Sequence, residues 1–421
     1  MRQVHVIGAG LAGLRAALSL RGAGRRVTIH EAGPAAGGRC RSYFDKELGL
    51  RIDNGNHLLL SGNQAARGYI KEIGAEDAFA VPDLPAFPFM DLKTGGRWTV
   101  RPNRGRIPWW IFSSDARVPE TRAFDYFALA RIAAIRDDRP VCDAMPRGSL
   151  YRRLVEPLAV AALNTPAQEG LARLLGTVVR ETLMRGGKAC RPMLPKQGLS
   201  EALIDPAIAT LRARGAEIRL NSRIAALTIE EGRVTALRGP EGSISLGSAD
   251  AVVLAVPPWV ASDLLPGLMV PVAFQAILNI HFRFAAEGND RLREAGLIGL
   301  TSGIAEWVFL KPGHVSVTIS AANNRADESA QAIAAMVWPN VADALDLDPE
   351  MKRTPPPYRV VKEKRATFAA TARQDRRRPA ARSERAANLA LAGDWTATGL
   401  PATIEGAIRS GRTAADVLLA L

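Results

Sequence analysis

The stretch Gly8-Ala9-Gly10-Leu11-Ala12-Gly13 constrains this chain more than any other feature, because of what flanks it. The apolar run Val4 to Ile7 precedes it, and Leu14, Ala17, Leu18 and Leu20 follow at helical spacing. Gly22 and Gly24 stop that helix, and Val27 to His30 reads as a second strand. Two strands joined by a crossover helix must run parallel, so this is a β-α-β unit. A bare G-x-G-x-x-G is a weak signal, but after a strand and at the start of a helix it predicts a dinucleotide site. Gly8 permits the tight turn, Gly10 lets the backbone approach a pyrophosphate, and Gly13 lets helix and strand pack closely. The N–H groups of Leu11, Ala12 and Gly13, at the helix N-terminus, are offered to the phosphates. Glu31, followed by Ala32, closes the second strand, where a carboxylate accepts hydrogen bonds from a ribose and repels a 2′-phosphate.

The next motif bears on the choice between nicotinamide and flavin. Gly37-Gly38-Arg39 follows the acidic residue. It resembles the double glycine plus arginine that flavoproteins of the amine oxidase and carotenoid desaturase superfamily close over a pyrophosphate. By that resemblance FAD is the expected cofactor, with Arg39 as a charge partner. At the far end, Leu389 to Ala392 reads as a strand, then comes Gly393-Asp394, and Thr403-Ile404-Glu405-Gly406-Ala407 opens a helix running to Leu421. In the superfamily the Gly-Asp carboxylate holds ribityl or ribose hydroxyls. The last helix aims its N-terminus, Thr403 and Ile404 here, at the flavin edge where negative charge gathers on reduction. Ile224, in Asn221-Ser222-Arg223-Ile224, stands where the superfamily places a backbone contact to adenine.

One family is resembled in particular. Asp53-Asn54-Gly55-Asn56-His57-Leu58-Leu59-Leu60 is similar to the D-N-G-Q-H-L-L-L motif of hydroxysqualene dehydroxylases, also called squalene-associated FAD-dependent desaturases. Glu156-Pro157-Leu158 with Ala161-Ala162-Leu163-Asn164-Thr165-Pro166 also fits, as does Ala392 to Thr396 continued through Gly399 to Ala407. Glu306-Trp307-Val308-Phe309 resembles a family Q-W-V/I-F stretch. Asn56 and Glu306 each replace a glutamine, and residues 88–125 match poorly. The resemblance implies reduction of an allylic C30 alcohol, hydroxysqualene, to squalene, in squalene or hopanoid biosynthesis. Reduced FAD delivers hydride and the protein polarises the leaving hydroxyl. By the same resemblance Gly8, Gly10, Leu11, Ala12, Gly13, Glu31, Ala32, Gly38, Arg39, Gly55, Asn56, His57, Ile224, Gly393, Asp394, Thr403 and Ile404 form the FAD site.

The expected fold is therefore α/β. A discontinuous Rossmann-type FAD-binding domain (1–85, 195–260 and 385–421) receives an inserted α+β substrate domain (86–194 and 261–384), as in amine oxidases. Within the former, Leu199 to Arg214 reads as a helix bent by Pro206, with strands at Ile218–Leu220, Ile224–Ile229, Val234–Leu237 and Ala251–Val256. A chain of 421 residues suffices for two cores.

His57 is the first candidate proton donor, its alternative role being to brace its loop. Glu306 is the second, against the reading of a strand-edge glutamate facing water. Asp53 reads as a loop cap, and Asn164 either orients substrate or ends a helix. Cys40 beside Arg39 raises a covalent flavin link only as a remote option, and Cys142 and Cys190 read as packing residues. The three cysteines form no C-x-x-C pair, so no metal site is expected. They fit reduced thiols in a cytoplasmic protein. Three other readings compete: a carotenoid-type desaturase with hydride flow reversed, an amine oxidase, and a non-enzymatic prenyl-binding chaperone of the same fold.

The formal charge of +13 suits anionic partners. No basic run interleaves with aromatics, so nucleic acid is not expected, and Arg376-Arg377-Arg378 reads as a solvated loop. No secretory signal is seen, and no segment approaches the roughly 18 apolar residues of a membrane span. A membrane contact would thus be peripheral, on the inner face of the cell membrane. Trp109-Trp110-Ile111-Phe112, a cluster of four large apolar residues preceded by Arg101, Arg104 and Arg106, is its candidate, against the reading that it forms the lid or core of the substrate domain. The electron donor stays open.

Overall fold

The computed structural model describes residues 2–286 and 290–421. Five parallel strands make the nucleotide sheet, in the order Glu217–Arg219, Arg26–His30, Gln3–Ile7, Ala251–Leu254, Leu389–Leu391. The first helix, Leu11–Gly22, and the last, Ile404–Leu419, pack on one face. Their contact is close because side chains are missing where they cross. A Cβ on Gly411 would run into the carbonyl oxygen of Ala12, and a Cβ on Gly13 into that of Gly8. The last helix starts at Thr403, whose hydroxyl caps the Gly406 N–H at 3.1 Å, and buries Ile404, Ile408, Ala415 and Leu418 along one stripe.

Alternate residues of the sheet point to its other face, where Ile7, Val252, Leu254, Leu389 and Leu391 join Val234 and Leu237 of the antiparallel sheet Ala226–Glu230, Arg233–Gly239, Gly242–Ser245. Towards the Glu217–Arg219 edge this face turns polar. Gln3 Nε2 donates to Thr28 Oγ1 at 2.9 Å, His5 Nδ1 lies 3.1 Å from His30 Nε2, and His30 Nδ1 lies 3.2 Å from Ser222 Oγ.

The second sheet has seven strands, ordered Tyr358–Phe368, Phe274–Phe282, His314–Ile319, Trp307–Lys311, Leu297–Thr301, Phe87–Asp91, Arg97–Val100. Leu278, Ile280, Val315 and Val317 pack one face against helix Ala330–Ala344. The opposite face carries Asn279, His281, Ser316 and Thr318 by the two-residue alternation of strands. Helices Phe127–Ala134, Glu156–Leu163 and Ala172–Glu181 share a core with Phe89, Trp98 and Trp307.

Several boundaries differ from the sequence reading. The segment expected as one bent helix is a π turn, Ser200–Ile204, followed by the α-helix Asp205–Ala213. Pro206 sits in the first turn of the α segment, where its missing N–H costs no bond. The strand expected from Ile224 begins at Ala226, and the one expected to reach Val256 ends at Leu254. Arg376-Arg377-Arg378 is not a solvated loop: the Arg378 side chain is 1% exposed, Arg377 Nε donates to Val270 O at 2.8 Å, and only Arg376 stays outside. In the cluster Trp109-Trp110-Ile111-Phe112 the two readings divide, Trp110 and Ile111 being core and Trp109 and Phe112 exposed.

All five histidines of the chain are desolvated, and this pulls each pKa below the ordinary 6.5, that of His30 to about 4 and that of His281 to about 3. The folded imidazoles stay neutral while unfolded ones bind protons below 6.5, so stability falls with pH through that window. Thermal unfolding followed by circular dichroism should show the midpoint dropping as pH goes from 6.5 towards 4. His30→Asn should flatten part of that slope. A midpoint that stays level across the window would contradict this account.

Candidate active site

The glycine turn and Glu31 form one unit. Glu31 Oε2 accepts the Ala9 N–H and Oε1 the Gly33 N–H, both at 2.8 Å. The carboxylate therefore fixes the turn while it faces the nucleotide side. The Glu31 carbonyl accepts Ser222 N–H at 2.7 Å and the Gly33 carbonyl Asn221 N–H at 2.9 Å. That brings the loop of Ile224, itself buried, beside Glu31 and Ala32. Gly10 and Gly37 meet in a β-bridge, and a Cβ on Gly10 would have no atom within 4 Å. Open space above a helix N-terminus whose cap lacks a side-chain acceptor fits a pyrophosphate.

A single guanidinium joins the two ends of the chain. Arg39 Nη2 donates to Asp394 Oδ1 at 2.7 Å, across 355 residues, and Nη1 to Ala366 O at 2.5 Å. Desolvation opposes the charge on Arg39, but Asp394 outweighs it and the pKa rises. Arg378, flat over Phe368 at 4.8 Å, donates to the carbonyls of Asp394 and Thr396 and to Thr398 Oγ1. Gly393 N–H is held by Ser410 Oγ at 2.8 Å, so the Gly393–Thr398 turn is braced from both sides. Glu405, just inside the last helix, accepts the N–H groups of Ala65 and Ala66, the first turn of helix Gln64–Glu72. Sequence reading missed both roles. Nothing periodic marks a buried arginine, and Glu405 read only as part of a motif.

The loop 53–57 lies on the polar face of the seven-stranded sheet. Asn56 N–H donates to Asn279 Oδ1 at 3.2 Å, and Asn56 Nδ2 to Ser316 Oγ at 2.8 Å and Thr318 Oγ1 at 3.0 Å. Among the described residues, Asn56 Oδ1 is buried without a hydrogen-bond partner, as are atoms elsewhere such as Trp98 Nε1 and Glu328 Oε2, so it does not by itself mark a bound group. Beneath the loop, Asp53 pairs with Lys311 at 3.1 Å and accepts from Ser42 Oγ and Leu199 N–H. Burial raises the Asp53 pKa, but these partners outweigh burial and hold it low. Its partners therefore tie strand Ser42–Asp45, the 199 turn and strand Trp307–Lys311 together rather than capping the N–H groups of its own loop. Gly55 lies against Asn279, whose Nδ2 is 3.3 Å from where a Cβ would stand, and His57 Nε2 is 3.8 Å from that point.

Glu306 departs from the sequence reading of a water-facing strand edge. It is half-buried, it precedes strand Trp307–Lys311, and its Oε2 accepts the Ser320 N–H at 2.8 Å. With no cation against it, burial pushes its pKa up to about 7. Asn164 ends helix Glu156–Leu163 in the left-handed region, at φ 46°, and its side chain ties Ala321 N–H to Thr367 Oγ1. Glu306 and Asn164 thus clasp the corner Ser320-Ala321 from two sides. Cys40 is buried and its thiol pKa is raised, which opposes thiolate chemistry there. Cys142 and Cys190 are buried free thiols.

Comparison with known proteins follows this geometry. The family model for flavin-containing amine oxidoreductases matches residues 11–419. A hydroxysqualene dehydroxylase of Sinorhizobium fredii is 46% identical over 419 residues, covering 99% of this chain and 98% of that protein. One of Rhodopseudomonas palustris is 47% identical over 421 residues, covering 100% and 99%. The fold matches cyclohexylamine oxidase from Brevibacterium oxydans with a TM-score of 0.67 at 16% identity, over 99% and 98% of the two chains.

The clasp between Arg39 and Asp394 makes a quantitative expectation. Asp394→Ala removes a charge-assisted hydrogen bond worth about 1.5–3 kcal/mol, read as a roughly tenfold or greater loss of flavin affinity. Flavin absorbance after dialysis measures it. The double variant with Arg39→Met should lose less than the sum of the single losses. Strictly additive losses would mean that the two residues act separately.

Proposed function

We propose, because this chain belongs to the hydroxysqualene dehydroxylases among the flavin-containing amine oxidoreductases, that it reduces hydroxysqualene to squalene with FAD. Full-length similarity to enzymes of that name is the observation that carries the reading. Segments 1–85, 195–260 and 385–421 would hold FAD, and 86–194 with 261–384 the C30 alcohol. Leu11, Ala12, Gly13 and Gly38 would meet the pyrophosphate, Glu31 a ribose, Ile224 the adenine, and Gly55, Asn56, Gly393, Thr403 and Ile404 the flavin end. The substrate gains one hydride and one proton and loses water. Reduced FAD, when bound, supplies the hydride, and a separate reductant restores it after each turnover. Such a substrate scarcely dissolves in water, so we place the protein in the cytoplasm, peripheral on the inner face of the cell membrane.

The proton is the task of this chain. Glu306, at about 7, keeps its proton near neutral pH where an ordinary carboxyl has lost it. The Ser320 N–H holds Oε2 and so positions the carboxyl that would protonate the departing hydroxyl. His57 came first in sequence, but desolvation lowers its pKa, so its imidazole is neutral and suits orientation rather than protonation. An allylic cation is stabilised by aromatic faces. Phe89 stacks on Trp98 and meets Trp307 edge-on within the buried core beside this strand.

The reaction is tested by anaerobic incubation of the reduced protein with hydroxysqualene, squalene being the expected product. Acid precipitation should leave FAD in the supernatant. A desaturase would instead oxidise a polyene with oxidised flavin, and failure of the first assay with success of the second would reverse the assignment. In the unmodified protein the rate should fall as pH rises through about 7, because the acid loses its proton there. Glu306→Gln restores the residue of the family motif, so it should keep flavin absorbance and turnover while lacking that limb. A limb near pH 7 that persists in Glu306→Gln would remove Glu306 from the mechanism.

A further inference from the structure

Trp109–Phe112 is a single 3₁₀ turn that buries Trp110 and Ile111, and Ala123–Tyr126 is another that buries Tyr126 and leads into helix Phe127–Ala134. Trp110 turns inward, edge-on to Tyr126 at 5.0 Å, and this contact locks the two turns side by side. The outward halves are large and apolar. Trp109 is 63% exposed, Phe112 66%, Phe124 77% and Phe127 63%. Trp109 and Phe112 lie 6.1 Å apart, and Phe124 and Phe127 lie 5.3 Å apart. The loop before them is held by Asn103, which donates through Nδ2 to Ile107 O and accepts the Trp110 N–H. The same loop receives Gly187 N–H on Asn103 O and Lys188 N–H on Arg104 O, which brings the turn Leu183–Arg185, with exposed Met184, onto this side.

None of these outward rings packs into a core, so the fold gains nothing from them. Soluble monomers rarely leave a contiguous apolar patch without a partner. The side chains protrude from convex turns, so they suit insertion rather than reception of a ligand. Arg104, Arg106, Arg122, Arg131 and Lys188 stand exposed around them. Asp125, the acid within the second turn, accepts the Arg122 N–H. Aromatic rings at headgroup depth ringed by cations are complementary to an anionic bilayer, and the chain carries +13 overall.

We infer that this aromatic–arginine face, Trp109 and Phe112 with Phe124 and Phe127, is a docking surface for anionic lipid bilayers. The choice of lipid over a protein partner rests on the reading of a water-insoluble substrate; the face itself does not.

The test uses the flavin-loaded full chain and vesicles of equimolar phosphatidylglycerol and phosphatidylcholine, with phosphatidylcholine vesicles alone as the comparison. The protein should float with the first and float poorly with the second. Trp109→Ser with Phe112→Ser and Phe124→Ser should lower the partition coefficient on the order of a hundredfold. Turnover in detergent, flavin content and the thermal midpoint should stay near those of the parent. Trp110 is left in place because it is core. Arg104→Glu with Arg106→Glu, which touches no packing, is the second variant and should abolish the preference for phosphatidylglycerol. Parent protein that does not float, or variants that float like it, would overturn the inference. So would aromatic variants that change the oligomeric state in size exclusion but not flotation, since the face would then belong to another copy of the chain. Flotation without turnover of hydroxysqualene would leave the docking face standing and remove the proposed reaction. Turnover in detergent without flotation would do the reverse.

Discussion

The ion pair between Arg39 and Asp394 spans 355 residues and joins the glycine-rich first unit of the chain to its last turn and helix. It forms only if the last helix lies against the first, and that depends on two absent side chains. With a Cβ at Gly411 the last helix would be pushed away from Ala12, and with one at Gly13 the first helix would be pushed off the turn at Gly8. Backbone in contact with backbone is what brings Gly393-Asp394 within reach of Gly37-Gly38-Arg39. Arg378 then spends its donors on the carbonyls of 394 and 396 and on Thr398, so the carboxylate is presented from a turn that cannot relax. Glu405 extends the same coupling outward by capping the Gln64–Glu72 helix from the start of the last one.

The parts of this arrangement that were legible in sequence are those governed by local rules. The first strand, helix and second strand were readable because glycine placement and hydrophobic period agree over one continuous segment. The last helix was readable for the same reason, through Thr403 and its apolar stripe. What could not be read depends on partners distant in sequence. The triple arginine 376–378 looks solvated in any window, and only the fold reveals that the third of them sits over Phe368 beneath the 394–398 turn. Trp109-Trp110-Ile111-Phe112 likewise looks uniform, while a 3₁₀ turn sorts it into an inner and an outer pair. The π turn at Ser200–Ile204 inserts an extra residue into what period alone would draw as one helix.

The seven-stranded sheet shows a division that the strand period makes possible. Residues of one parity in Phe274–Phe282 and His314–Ile319 form an apolar core with helix Ala330–Ala344, and those of the other parity form a polar shelf under the 53–57 loop. A shelf of amide, hydroxyl and neutral imidazole groups can orient a bound group through hydrogen bonds, while the ion pair beneath the loop, Asp53 with Lys311, is compensated within itself.

The two carboxyls near this shelf illustrate how environment assigns the roles. Both are desolvated, and desolvation alone would raise both. Asp53 has Lys311 at 3.1 Å, a serine hydroxyl and an N–H of Leu199, and together they hold its pKa below the ordinary carboxylate value. Glu306 has the Ser320 N–H and no cation, so burial prevails and its pKa reaches about 7. One carboxyl is thereby held as an ion in a buried pair, and burial leaves the other with a pKa of about 7. Carboxyls pushed apart in this way suit divided labour between a structural ion and an acid. The replacement of a glutamine by Glu306, read in sequence as a departure from the family pattern, puts a titratable group where the motif has a neutral amide.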